Sequence, residues 1–122
     1  MKLHHIALGA RDVQRVASFY CDVLGLAEVA RHLDGEGALR AVWLDLAGAV
    51  LMVERTREAP RRVDGVGAGP FLIALEVTPS QREELERRLE AAGHAIEART
   101  EHSSYARDPE GNRIALSHYP LF

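Results

Sequence analysis

The chain has 122 residues, 47% of them hydrophobic and 27% charged, which suits one compact domain able to bury a core. Its formal charge of −3 and the interleaving of Arg with Glu exclude the basic stripe of a nucleic-acid-binding protein, and the single Cys21 excludes an internal disulfide or a cysteine-based zinc cluster. No charged leader with an apolar stretch and no apolar run of membrane-spanning length is present, so a cytoplasmic protein without a membrane segment is expected.

Leu3 to Gly9 is short and apolar and predicts a strand with His5, Ala7 and Gly9 on one face and His4, Ile6 and Leu8 on the other. Asp12 is a good N-cap for a helix carrying Val13, Val16, Tyr20, Val23 and Leu24 at helical spacing, and Gly25 is its natural stop. Cys21, inside this helix with no cationic neighbour in sequence, reads as a small inert residue. Leu26 to Leu33 predicts a weak strand and residues 34–37 a polar loop. Arg40 to Leu46 and Ala49 to Glu54 predict a hairpin turning at Ala47-Gly48, with Val50, Met52 and Glu54 on one face.

Residues 55–70, rich in Gly, Pro and Arg, read as a connection. Gly65, Gly67 and Gly69 do not make a phosphate loop, because no Lys-Ser/Thr follows and the segment leads into a strand. Phe71 to Val77 predicts that strand, and Ser80-Gln81-Arg82-Glu83 reads as a capping box opening a second helix. Leu85, Leu89 and Ala92 form its seam, Glu83 with Arg87 and Glu84 with Arg88 its surface pairs, and Gly93 its end. His94 to Arg99, Ser103 to Arg107 and Arg113 to His118 predict three last strands, the final two joined by a tight turn over Asp108-Pro109-Glu110-Gly111-Asn112.

The two halves repeat. Ile6-Ala7-Leu8 recurs as Ile73-Ala74-Leu75 and Gln14-Arg15 as Gln81-Arg82, both at a shift of 67 residues. The fold is therefore expected to be α+β, one domain of two pseudo-symmetric βαβββ modules, residues 1–57 and 70–122, around a linker at 58–69.

His5-Ile6-Ala7-Leu8, Phe19-Tyr20 followed by Leu24-Gly25, and Asp108-Pro109-Glu110-Gly111-Asn112-Arg113-Ile114 together resemble the vicinal oxygen chelate superfamily of glyoxalases, bleomycin and fosfomycin resistance proteins and extradiol dioxygenases. The resemblance covers the whole chain and implies a cupped mixed sheet around a cavity. It also implies, for the metal-dependent members, ligands at four facing positions. Here those fall on His5, on or near Met52 with Glu54 one step further along, on Leu72, and on Ala115, where the metalloenzymes carry Glu. One histidine and one displaced glutamate are too few for zinc or non-haem iron, and Leu72 and Ala115 offer nothing to a hard octahedral ion. No metal and no other cofactor are expected. The remaining histidines read as solvated or locally bonded: His118 on the face opposite Ala115, His4 pointing away from His5, His32 and His94 at strand ends or in loops, and His102 before a strand.

The resemblance directs His5, Met52, Glu54, Leu72, Tyr105, Ala115 and Ser117 into the cavity, with Ala7 and Ala74 beside them and Trp43 as aromatic wall; Tyr20 is read as core. Small and apolar side chains with a few polar ones suit an organic ligand. His5 and Glu54 are the candidates for a general acid and base pair. The leading reading is a metal-independent binding protein for a small organic molecule; alternatives are a divalent-metal-dependent lyase, isomerase or ring-cleaving dioxygenase with displaced ligands, and a member acting through protein contacts. A homodimer is expected, because related cupped sheets commonly complete their cavities with a partner and Leu121 and Phe122 leave apolar surface at the chain end.

Overall fold

The computed structural model describes residues 1–58 and 72–120. The chain divides into two compact units, Met1–Pro60 and Arg61–Phe122. Most of the expected linker, Phe71, and the apolar end Leu121-Phe122 lie outside the described residues.

In the first unit β1 (His5–Ala10), α1 (Val13–Ser18), β2 (Glu28–Leu33), β3 (Leu39–Asp45) and β4 (Val50–Arg55) follow one another, with a π-helical segment, Phe19–Val23, prolonging α1. The sheet order is β1-β4-β3-β2, with β1 parallel to β4 and the other pairs antiparallel. Asp12 caps α1 by accepting the Arg15 N–H at 3.0 Å. Gly25 ends the segment at φ 82°, in the left-handed region where a side chain would be strained. The β3–β4 hairpin turns where expected, with Ala47 at φ 54° and Gly48 at φ 111°.

Val13, Val16, Ala17, Phe19 and Tyr20 of the helical run are buried, as are Val42, Leu44, Leu51 and Val53 of the sheet. Each of the larger aliphatic groups stabilises the unit by roughly 1.5–3 kcal/mol through its burial. Arg31 donates to Gln14 Oε1 at 2.8 Å, so Arg31 is on the helix side of β2. Ala30 and His32, on either side of it in sequence, face away from the helix.

The second unit repeats the design with β5 (Ile73–Glu76), α2 (Pro79–Ala91), β6 (Ala98–Arg99), β7 (Ser103–Arg107) and β8 (Arg113–Ser117), in the order β5-β8-β7-β6. Four expectations are corrected here. The N-cap of α2 is Thr78, not Ser80: Thr78 and Gln81 make the reciprocal capping box and Pro79 takes the first helical position, where its missing N–H costs nothing. Arg87 pairs with Glu84 at 2.6 Å, three residues apart, instead of with Glu83. Strand β6 is two residues long instead of six, and Ala92 is an exposed cap instead of part of the apolar seam.

Arg82 fixes α2 to its sheet. Its guanidinium donates to the carbonyls of Thr100, Glu101 and Ser103 and to Ser104 Oγ, at 2.6–2.9 Å, and lies 3.2 Å from His118 Nε2. Ser104 Oγ in turn donates to Glu86. Ser104 is thus on the helix side of β7, and Ser103 and Tyr105 are on the other. The β7–β8 turn is held by Asp108, whose Oδ1 accepts the N–H groups of Glu110 and Asn112, both at 2.9 Å. Asp34 does the same for Glu36 and Ala38 in the β2–β3 loop, so one Asp-x-Glu-Gly pattern makes both turns.

Candidate site on the helix-free sheet faces

Strand register assembles the candidate residues row by row. In the first unit Ala7, Met52, Trp43 and Ala30 lie side by side across β1, β4, β3 and β2, and Gly9, Glu54, Ala41 and His32 form the next row. In the second unit Ala74, Ala115, Tyr105 and Ala98 form the row matching the first of these, and Glu76, Ser117 and Ser103 the next. Both sets are on the faces turned away from α1 and α2. Met52 and Ala115 are therefore counterparts, as are Trp43 and Tyr105. The first pairing agrees with the positions that the resemblance implies.

The donor set does not fit the metal that the fold family implies. Met52 supplies only a soft thioether, and Ala115 and Leu72 supply no donor atom. His5 leads the first face, but its Nδ1 is 2.8 Å from His4 Nδ1 and the two rings meet edge to face. The expectation that His4 points away fails because strand alternation starts only at His5. Among the described residues no group of three or more His, Cys, Asp or Glu side chains is placed to hold a metal ion.

His5 and Glu54 are not a catalytic pair. His5 is registered with Val50 and Glu54 with Gly9, so the two are four residues apart along the strands, about 13 Å at 3.3 Å per residue. Burial, and then the charges of Asp22 and Glu28, push the Cys21 thiol up, away from the thiolate form.

Two residues that sequence reasoning passed over belong to these faces. His32, expected in a loop or at a strand end, is inside β2 and its ring lies 4.5 Å from that of Trp43. Its signal was the helix-side contact of Arg31, which sequence does not reveal. Arg113 is registered with Arg107 and carries its guanidinium carbon 5.1 Å from the centre of the Tyr105 ring. Its parity with Ala115 and Ser117 could have found it.

Among the described residues, the buried side-chain polar atoms without a hydrogen-bond partner are His32 Nε2, Trp43 Nε1, and Arg113 Nε and Nη1. All belong to the helix-free faces. In the second unit a cavity of about 450 Å³ opens at the end of β5 and β8, lined by Ala74, Glu76, Ser117, His118, Tyr119 and Pro120 among others. Ser117 Oγ accepts from Ser103 Oγ at 2.8 Å and from the Tyr119 N–H at 3.2 Å. Tyr105 does not line this cavity.

Two four-stranded mixed sheets, each with its helix on one face, define the α+β fold of the glyoxalase and bleomycin resistance proteins. The model of the Glyoxalase/Bleomycin resistance protein/Dioxygenase superfamily matches residues 2–116, and the chain belongs to that family. Similar solved structures include the E126Q mutant of the fosfomycin resistance protein FosX from Listeria monocytogenes, complexed with Mn(II) and 1S,2S-dihydroxypropylphosphonic acid; identity is 19%, coverage 98% of this chain and 94% of that one, and the TM-score 0.82. The lactoylglutathione lyase of Agrobacterium tumefaciens is 23% identical over 95% of this chain and 92% of its own, with a TM-score of 0.70. TioX from Micromonospora sp. ML1 is 22% identical over 98% of this chain and 100% of its own, with a TM-score of 0.72. At these identities the likeness is one of fold. No curated protein sequence matches the chain. Among the described residues no helix is long and apolar enough to cross a membrane.

Proposed function

We propose that this protein binds a small organic molecule on its helix-free sheet faces without a metal. The observation that carries the reading is the placement of every buried, unpartnered side-chain polar atom of the described residues on those faces. A buried polar group left unpaired costs about 1–3 kcal/mol, so a face that keeps such groups is suited to a ligand that pairs them. Trp43 and Tyr105, each bordered by alanines, give flat apolar surface, and Met52 adds an adaptable contact. Met52, Leu72 and Ala115, at the positions where the family's metalloenzymes carry ligands, support a role that no metal serves.

Homodimerisation is part of this reading, supported by the exposed apolar side chains of Leu3, Val29, Leu33 and Tyr119.

Trp43 is the only tryptophan, so its fluorescence reports on the face directly. Titration with a chemically diverse set of aromatic and heteroaromatic compounds should yield ligands that shift this emission saturably, equally with and without EDTA. A response abolished by EDTA and restored by a divalent ion would move the reading to a metal-dependent enzyme. Failure of the whole set to perturb Trp43 would overturn small-molecule binding at this face.

A further inference from the structure

We infer that the ligand carries an anionic group, a carboxylate or phosphate ester, and that Arg113 receives it; this rests on the proposed binding role and adds the chemical class of the ligand. Arg113 and Arg107 are registered partners on β8 and β7, yet only one is neutralised. Arg107 donates to Glu97 at 2.9 and 3.2 Å and to the Gly111 carbonyl at 3.0 Å. Among the described residues no carboxylate reaches Arg113, whose Nε and Nη1 are buried without an acceptor.

The Tyr105 ring, 5.1 Å from the guanidinium carbon, attracts the cation through the quadrupole of its π face. That contact fixes the group in place and leaves its N–H edges free. A desolvated guanidinium with no counter-charge is costly unless an anion completes it, and charge-assisted hydrogen bonds to a carboxylate or phosphate are among the strongest that a protein makes. The surrounding positions on the same face, Ala74, Ala98 and Ala115, are too short to reach the guanidinium and carry no group that could neutralise it. A planar carboxylate or a phosphate suits the fork of arginine better than a lysine would serve it.

The test uses benzoate and phenyl phosphate as anionic probes and benzamide as the neutral isostere, followed by nitrogen-15 NMR on the Arg113 Nε–H of the intact protein. Saturable shifts of that resonance with both anions, weakened by added NaCl, and at least about tenfold weaker binding of benzamide are expected. Arg113→Gln should erase the preference for anions while the amide spectrum stays that of a folded protein, and Arg113→Lys should keep part of it. Benzamide binding as tightly as benzoate, or a Gln variant that keeps the preference, would overturn the anion assignment and leave the binding role standing. The absence of any shift at Arg113 with saturating probes would also overturn it.

Discussion

Trp43 and Tyr105 hold the same place in the two units: each is on the third strand, on the face away from the helix, registered with Met52 and with Ala115 respectively. Their polar ends differ in environment. The indole nitrogen is buried without a partner, whereas the tyrosine ring is engaged from one side by Arg113. The repeated scaffold has thus kept an aromatic side chain at one position and changed its chemistry between the halves.

Trp43→Phe removes an unpaired buried N–H and keeps most of the apolar area. It should leave the stability of the protein unchanged or slightly raised, within about 1 kcal/mol, and weaken any ligand that accepts the indole hydrogen bond. Denaturant melts followed by circular dichroism, with calorimetric titration of ligand, measure both.

Tyr105→Phe keeps the ring under Arg113 and removes one hydroxyl. Ligand affinity should fall by the worth of one neutral hydrogen bond, about 0.5–1.5 kcal/mol, with little change in the melting temperature. An unchanged affinity for an identified ligand would make Tyr105 wall only.

Arg82 should matter for folding and not for binding. Arg82→Met strands three carbonyls and Ser104 in a partly buried place and should destabilise the second unit by about 2–4 kcal/mol. Arg82→Lys should recover only a fraction, since one ammonium cannot match the fan of the guanidinium. Urea unfolding of the three proteins, compared at equal slope, checks the order.

Glu86 makes the same lock sensitive to acid. Burial pushes its carboxyl up, but the hydrogen bonds from Ser104 and Arg99 and the charges of Arg99 and Arg82 outweigh this and hold it below the ordinary glutamate range. A depressed folded-state value gives stability that is complete above the unfolded value near about 4.3 and is lost as pH falls through the folded one. Wild type should lose stability in that acid window more steeply than Glu86→Gln, and thermal melts across it compare the two.

Much of the fold was legible because the repeat, the apolar periods and the turn residues agree with one another. The Ala47-Gly48 hairpin and the Asp108 turn follow from residue types alone, and the shared face of Met52 and Glu54 from strand alternation. What was not legible depends on pairing. The separation of His5 from Glu54 is set by the register of β1 against β4, and the place of His32 by which side of β2 meets α1. Ser80 begins a good capping pattern, but the proline before it suits the first turn of a helix and so puts the cap at Thr78. Arg113 stood inside the family signature, where it read as the start of the last strand and not as an unpaired charge.

Binding without a metal is decided by metal analysis of protein purified without chelators, set beside the same analysis of Leu72→His/Ala115→Glu. Substoichiometric metal in the unmodified protein, with a marked gain in affinity for Mn²⁺ or Zn²⁺ only when both substitutions are present, is the expected result. One equivalent of tightly held metal in the unmodified protein, lost on His5→Ala, would contradict it.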